Sequence, residues 1–211
     1  MVVTQEVRGR ARLDRRAWAE AALRALTEGG PGSVAVEPLA RTLGTTKGSF
    51  YWHFPDRRTL LQAALELYER EGTEGVISEL QRGPGPVDQL DRLFALVFRD
   101  EGGDPVYHAL LAAASDPDVA PVLRRITARR VEYLVQAMTA VGFPTAEAHD
   151  RAVLAYTSWL GLVQAERAVG GRLFPSLSAR RRYLAFLREA ILPPPPPEKL
   201  GDRPHPDAQE R

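Results

Sequence analysis

Lys47, Ser49, Tyr51, Trp52 and His53 bring an amine, hydroxyls, an indole and an imidazole into the run Lys47-Gly48-Ser49-Phe50-Tyr51-Trp52-His53-Phe54. If that run is helical, the four-residue spacing turns Phe50 and Phe54 inward together and spreads the other side chains over the remaining surface. Large rings left in water need a reason. One is that Tyr51 and Trp52 pack on a neighbouring helix. The other is chemistry suited to a DNA duplex, with the amine and hydroxyls on phosphates and the ring edges on thymine methyls and base edges in a major groove. Gly48 fits the second reading. A helical glycine costs roughly 1 kcal/mol relative to alanine, a loss that makes sense where the backbone must approach another surface closely. Enzymatic chemistry finds less support. His53, His108, His149 and His205 have no metal-ligand spacing to one another, and no glycine-rich loop follows a strand. Thr46-Lys47-Gly48-Ser49 lacks the upstream glycines of a phosphate loop. No catalytic residue, metal or cofactor is expected.

The elements that must position the run can be read beside it. Leu39, Ala40 and Leu43 share one face of a short helix that Pro38 suits at its opening, where a missing N–H has no intrahelical partner to lose. Gly44 ends that helix in the left-handed conformation, and the Thr46 hydroxyl caps the next. Two residues, Gly44 and Thr45, therefore separate the helices, and so short a linker forces the sharp crossing of a helix-turn-helix. Upstream, Asp14 caps a helix running to about Glu28, with Trp18, Ala22, Leu23 and Leu26 as its buried face, stopped by Gly29-Gly30-Pro31-Gly32. Downstream, Asp56 caps a long fourth helix with a wide apolar face at Leu60, Leu61, Ala64, Leu65, Leu67 and Tyr68. It would begin at DNA and end in the rest of the protein, as a lever between them.

From Leu39 to Leu61 the order Leu-Ala-Arg-x-Leu-Gly, Thr-Lys-Gly-Ser-Phe-Tyr-Trp-His-Phe, then Pro55-Asp56-Arg57-Arg58-Thr59-Leu60-Leu61 closely resembles the N-terminal domain of TetR-type transcriptional regulators. The resemblance covers roughly residues 12 to 65; beyond them only length and helical character match. It implies an all-α fold in which a three-helix DNA-binding domain precedes a helical ligand-binding and dimerisation domain. It also implies a homodimer on a palindromic operator in double-stranded DNA, released by a small-molecule effector. The expected DNA contacts are Thr45, Thr46, Lys47, Gly48, Ser49, Tyr51, Trp52, His53 and Arg57. Two positions depart from the family pattern. Arg57 stands where a lysine is common, keeping the charge and adding a two-pronged grip on phosphate. Thr45 stands where an aliphatic residue is common, which bears on DNA sequence preference.

Charge agrees once it is divided along the chain. The 211 residues carry a net charge of only +1, but residues 1 to 60 hold ten Lys or Arg against six Asp or Glu, and the remainder eighteen against twenty-one. Arg8, Arg10, Arg12, Arg15 and Arg16 precede or open the first helix, either as an arm along a phosphate backbone or as a solvated segment. With no cysteine there is no disulfide framework or thiolate chemistry, and a cytoplasmic location is expected. No apolar run suggests a leader or a membrane span.

Past Gln81 the chain breaks at Gly83-Pro84-Gly85-Pro86 and resumes with helical periodicity at Leu90, Leu93, Phe94, Val97 and Phe98. Further breaks predict helices near 104 to 114, 118 to 141, 146 to 170 and 178 to 191, about nine in all. The segment from Ala146 to Gly170 is apolar nearly all round and must be covered on most sides. With the stripe Tyr183, Leu184, Leu187, Ala190 and Ile191 it suits either a two-fold, four-helix dimer interface or the completion of a monomer core. Phe94, Phe98, Tyr107, His108, Leu111, Tyr133 and Trp159 supply aromatic and polar groups for an effector cavity, and equally for ordinary packing. The expected division is 1–60 for DNA binding, 61–192 for effector and dimer, and 193–211 as a disordered proline-rich tail, where Pro193 to Pro197 favour extended geometry. A helical module that binds protein through Tyr51 and Trp52 is the alternative function.

Overall fold

The computed structural model describes residues 14–98 and 103–192, and these fold into nine helices with no strand among the described residues. They are α1 (Arg15–Gly29), α2 (Val36–Thr42), α3 (Lys47–Tyr51), α4, α5 (Pro86–Phe98), α6 (Pro105–Ala112), α7 (Ala120–Val141), α8 (Thr145–Ala168) and α9 (Leu177–Ile191). α4 is continuous through Arg57–Glu69, a wide π turn at Arg70–Gly75, and Val76–Gln81. The basic residues Arg8, Arg10 and Arg12 and the tail from residue 193 lie outside the described residues.

Local chemistry starts the N-terminal helices. Asp14 accepts from the Ala17 N–H at 2.8 Å, Thr46 from Ser49 at 3.3 Å and Asp56 from Thr59 at 2.7 Å, each pairing a donor the first turn leaves orphaned. Gly44 takes φ +62°, the left-handed value that the α2–α3 turn requires. Two boundaries differ from expectation. α2 begins at Val36, so Pro38 falls inside its first turn, where its missing N–H still costs nothing. α3 stops at Tyr51 instead of running on to Phe54; the His53 and Phe54 N–H groups both turn back to the Phe50 carbonyl, at 2.9 Å each. Pro55 explains the stop, because its ring disfavours helical geometry at the preceding residue.

Trp18, Phe50, Phe54, Leu60, Leu61 and Leu65 are fully buried, and one contiguous apolar cluster extends from Trp18 in α1 to Leu192 beyond α9. The Trp18 ring meets Phe50 edge-on at 5.4 Å, and Phe50 stacks on Phe54 at 5.8 Å. α1 thereby fixes the rotation of α3 about its own axis. In the second half, the Arg180 Nε donates to Glu166 Oε1 at 2.6 Å, its Nη2 to Oε2 at 3.3 Å and its Nη1 to the Phe98 carbonyl at 3.0 Å. That buried triangle ties α9, α8 and the end of α5 together. α8 is covered at Tyr156, Trp159, Leu162 and Val163 but leaves Val153 and Leu154 in solvent.

Candidate nucleic-acid interface and effector cavity

The anchoring of Phe50 and Phe54 decides what α3 presents. Tyr51 is 55% exposed and Trp52 89% exposed, the latter in the turn that follows α3. Lys47 and Gly48 are exposed on the same short helix, Thr46 caps it, and Thr45, Ser49 and His53 are half-buried. Among the described residues no other helix covers Trp52, which leaves the neighbour-packing reading of that ring without support. The Lys47 amine donates to Glu37 in α2 at 3.0 Å; that hydrogen bond and its charge pull the Glu37 carboxyl below and push the Lys47 amine above their ordinary pKa values. A Cβ built on Gly48 would meet only the Thr46 hydroxyl, at an ordinary 3.6 Å. Nothing among the described residues therefore demands glycine there.

The basic residues beside α3 are partly occupied. Arg15 donates to the His53 carbonyl at 2.9 Å and lies 4.4 Å from the centre of the Phe54 ring. Arg16 pairs with Glu20 and Glu71, at 2.8 and 2.9 Å. Arg57 turns back on the loop after α1, donating to the Val34 carbonyl at 2.6 Å and to that of Pro31. A phosphate contact from Arg57 would have to share or displace these bonds.

A second feature lies among α4, α5, α7, α8 and the end of α9: a cavity of about 330 Å³. Of the expected lining residues, Phe94, Tyr133 and Trp159 face it, whereas Phe98, Tyr107, His108 and Leu111 do not. Tyr107 is instead packed beneath it, its ring stacked 5.6 Å from Trp159 and its hydroxyl bonded to Thr127 at 2.7 Å and to the Tyr156 hydroxyl. The Phe98 ring lies tilted against Phe94, with centres 4.4 Å apart.

Sequence reasoning missed the polar end of the cavity, made by Arg130, Asp104 and Thr73. The Arg130 guanidinium lies 4.4 Å from the centre of the Tyr107 ring and donates to Tyr68 Oη at 2.8 Å, the Gly72 carbonyl at 3.0 Å and Thr73 Oγ1 at 3.1 Å. The Gly72 and Thr73 contacts fall on the π turn of α4. Burial works against the charge of Arg130, but Tyr68 and Asp104 outweigh it and raise its pKa. Burial also raises Tyr68 and Tyr156, which stay neutral hydroxyls. A usable signal existed, since Arg130 interrupts the otherwise apolar stripe Ile126, Leu134 and Ala137 of α7.

His108 faces a separate cleft with Thr27, Gly30, Pro31 and Arg167, between α1 and the second half of the chain. It is 4% exposed, and neither ring nitrogen has a hydrogen-bond partner among the described residues. Burial, then the Arg167 charge, lowers its pKa below 6.5. The folded chain thus binds this proton less readily than the unfolded chain. The His108 contribution to stability is complete above pH about 6.5 and is lost as pH falls toward the depressed folded value. Denaturation midpoints between pH 7.5 and 5 should fall more steeply for the wild type than for His108→Gln; parallel profiles would remove His108 from that loss.

Among the described residues no cluster of His, Cys, Asp and Glu could hold a metal ion, and no helix is long and apolar enough to cross a membrane. A capped helix pair with a two-residue turn, an inward aromatic anchor and outward Lys47, Tyr51 and Trp52 defines a helix-turn-helix DNA-binding protein. The comparisons agree. Residues 19–64 match the profile for bacterial regulatory proteins of the tetR family. An uncharacterised HTH-type transcriptional regulator of Mycobacterium tuberculosis is 29% identical over 179 residues, 80% of this chain and 90% of that protein. The regulator TtgR of Pseudomonas putida is 32% identical over 82 residues, 38% of this chain and 39% of its own. In fold, the chain resembles reduced NemR of Escherichia coli, with a TM-score of 0.71, 20% identity, and 85% and 98% of the two chains covered. It also resembles a transcriptional regulator from Saccharomonospora viridis in complex with choline, with a TM-score of 0.66, 22% identity, and 83% and 95% covered. These matches give the chain the DNA-binding domain of tetR-family regulatory proteins, and it is a DNA-binding transcriptional regulator.

Proposed function

We propose that the protein is a cytoplasmic repressor that binds a palindromic operator as a homodimer and releases it when a small molecule enters the cavity. The observation that carries the DNA half is the pairing of buried Phe50 and Phe54 with exposed Lys47, Tyr51 and Trp52. Thr45, Thr46, Gly48, Ser49, His53 and Arg57 complete the contact set. Residues 1–60 are assigned to DNA binding and 61–192 to effector and dimer, with 193–211 outside the described residues. The boundary falls inside α4, between the buried Leu60 and Leu61, so the two parts share a core and a helix.

That shared helix supports the release mechanism. Its Asp56 cap directly follows the reading unit, and Thr73, Val76, Ile77 and Leu80 near its other end line the cavity. α7 grips it around the π turn through Arg125 with Glu69, Arg129 with Glu74 and Arg130 with Gly72 and Thr73. A ligand at the Arg130 end changes the seating of α4, and the two reading helices move out of groove register. The choline bound by the S. viridis protein supports the use of this fold for small molecules.

For the dimer, α8 and α9 expose Val153, Leu154, Tyr183 and Phe186, the last by 69%. Two copies burying this face would place two reading helices on one side of a duplex. Phe186→Glu is expected to yield a monomer at micromolar concentration by equilibrium sedimentation. A wild type that sediments as a monomer there overturns the dimer. Selection of duplexes from a random pool at stated salt tests the whole proposal: half-sites about one helical turn or more apart, in inverted repeat, are expected. Recovery of no preferred sequence would favour the protein-interaction reading of Tyr51 and Trp52.

A further inference from the structure

The cavity wall is apolar except for a few groups, and two of those have a polar atom without a partner among the described residues. Tyr133 and Trp159 are 4% and 6% exposed, and neither the Tyr133 hydroxyl nor the Trp159 indole N–H has a hydrogen-bond partner among the described residues. Both side chains line the cavity. Buried tyrosine and tryptophan ordinarily find a partner for their polar atom, so two orphans on side chains that line one cavity ask for a partner from outside the chain. An indole N–H can only donate. Arg130, 5.8 Å from the centre of the Trp159 ring, adds a cation to the same end.

The acceptor side of the wall is already taken. Asp104 is the one carboxylate among the described lining residues; its Oδ1 accepts from the Tyr107 N–H at 3.1 Å, and its Oδ2 accepts from the Tyr68 hydroxyl and from Arg130 at 3.4 Å. A cationic ligand would therefore meet a guanidinium, a donor-only indole N–H and a single phenol oxygen, with no free carboxylate among the described lining residues to receive it.

We infer that the cavity takes a neutral or anionic, largely apolar molecule that presents hydrogen-bond-accepting oxygen to Trp159 Nε1 and Tyr133 Oη beside Arg130, and that it rejects organic cations of the same shape. This rests on the reading of the cavity as the effector site. It adds the ligand's charge and polarity, which a volume alone does not supply.

Four probes on one ring system test it by fluorescence titration of the full chain: 2-acetylnaphthalene, 2-naphthoate, 2-naphthylmethylammonium and naphthalene. The ketone and the carboxylate are expected to bind at least tenfold more tightly than the ammonium. Tyr133→Phe removes a single oxygen and should weaken one or both oxygen-bearing probes by about fivefold to tenfold, the scale of one hydrogen bond. Its thermal midpoint without ligand should not fall, because the atom removed had no partner to lose. Trp159→Phe should weaken the ketone to a similar extent while leaving naphthalene within about twofold, which separates a lost N–H from lost ring contact. Equal binding of the ammonium, or oxygen-bearing probes indifferent to both substitutions, overturns the ligand class while keeping the cavity as a binding site. If none of the four binds to chain that is folded by circular dichroism, the effector cavity itself is overturned, and the ligand class with it.

Discussion

Glu166→Ala is expected to lower the unfolding free energy by about 3–5 kcal/mol, the largest effect of any single side-chain truncation proposed for this chain. The size follows from what the truncation leaves behind. The Glu166 side chain is 3% exposed and that of Arg180 is 11% exposed, and the carboxylate receives two of the guanidinium's hydrogen bonds. Without it, a guanidinium remains in a nearly dry site with the Phe98 carbonyl as its one described partner. The pair need not stabilise the fold relative to apolar side chains of similar volume, because desolvating two charges offsets most of their attraction. The double replacement Glu166→Leu with Arg180→Met should therefore cost much less than either single truncation. Urea denaturation at one protomer concentration checks both, since association contributes to apparent stability. A Glu166→Ala loss below about 1 kcal/mol would mean that water reaches the site and the pair behaves as an exposed one.

For Lys47→Ala combined with Tyr51→Ala, operator affinity should fall by at least about 100-fold with no loss of thermal stability. Each base-edge or phosphate contact is worth roughly 1–3 kcal/mol, and two in one helix reach that factor. Both side chains are exposed, so the fold has little to lose. The two singles should differ in kind. Lys47→Ala should weaken all sequences alike and reduce the salt slope of binding by about one charge, the signature of a phosphate contact. Tyr51→Ala should relax discrimination among sequences. Lys47 must exchange Glu37 for a phosphate on binding, so Glu37→Gln should tighten binding modestly. Mobility shifts at several salt concentrations measure all of these, and unchanged affinity in the double variant would remove α3 from the interface.

Local rules account for the parts of the molecule legible in its sequence. Asp14, Thr46 and Asp56 accept from donors three residues ahead, and Gly44 adopts a conformation that its missing side chain permits. Phe50 and Phe54 point inward because one turn of helix separates them. The nine helices and their approximate limits follow from such short-range periodicity, which neighbours in the fold do not alter. Where Pro55 competes with that periodicity the reading failed: α3 ends at Tyr51, and Trp52 and His53 belong to a turn.

The cavity could not be read this way. Tyr133 and Trp159 face it while Tyr107 and Phe98 pack beside it, although all four are aromatic residues in helices. Periodicity says which residues share a helix face; it does not say whether a neighbouring helix fills the space before that face or stands away from it. The same limit hid Arg130, whose partners Tyr68, Gly72 and Asp104 lie 62, 58 and 26 residues away in the chain. By itself, then, the sequence determined a capped helix-turn-helix, its outward residues and the long capped helix that follows. Only the tertiary structure decided which buried groups surround a void and which have a partner, because both depend on distances between residues far apart in sequence.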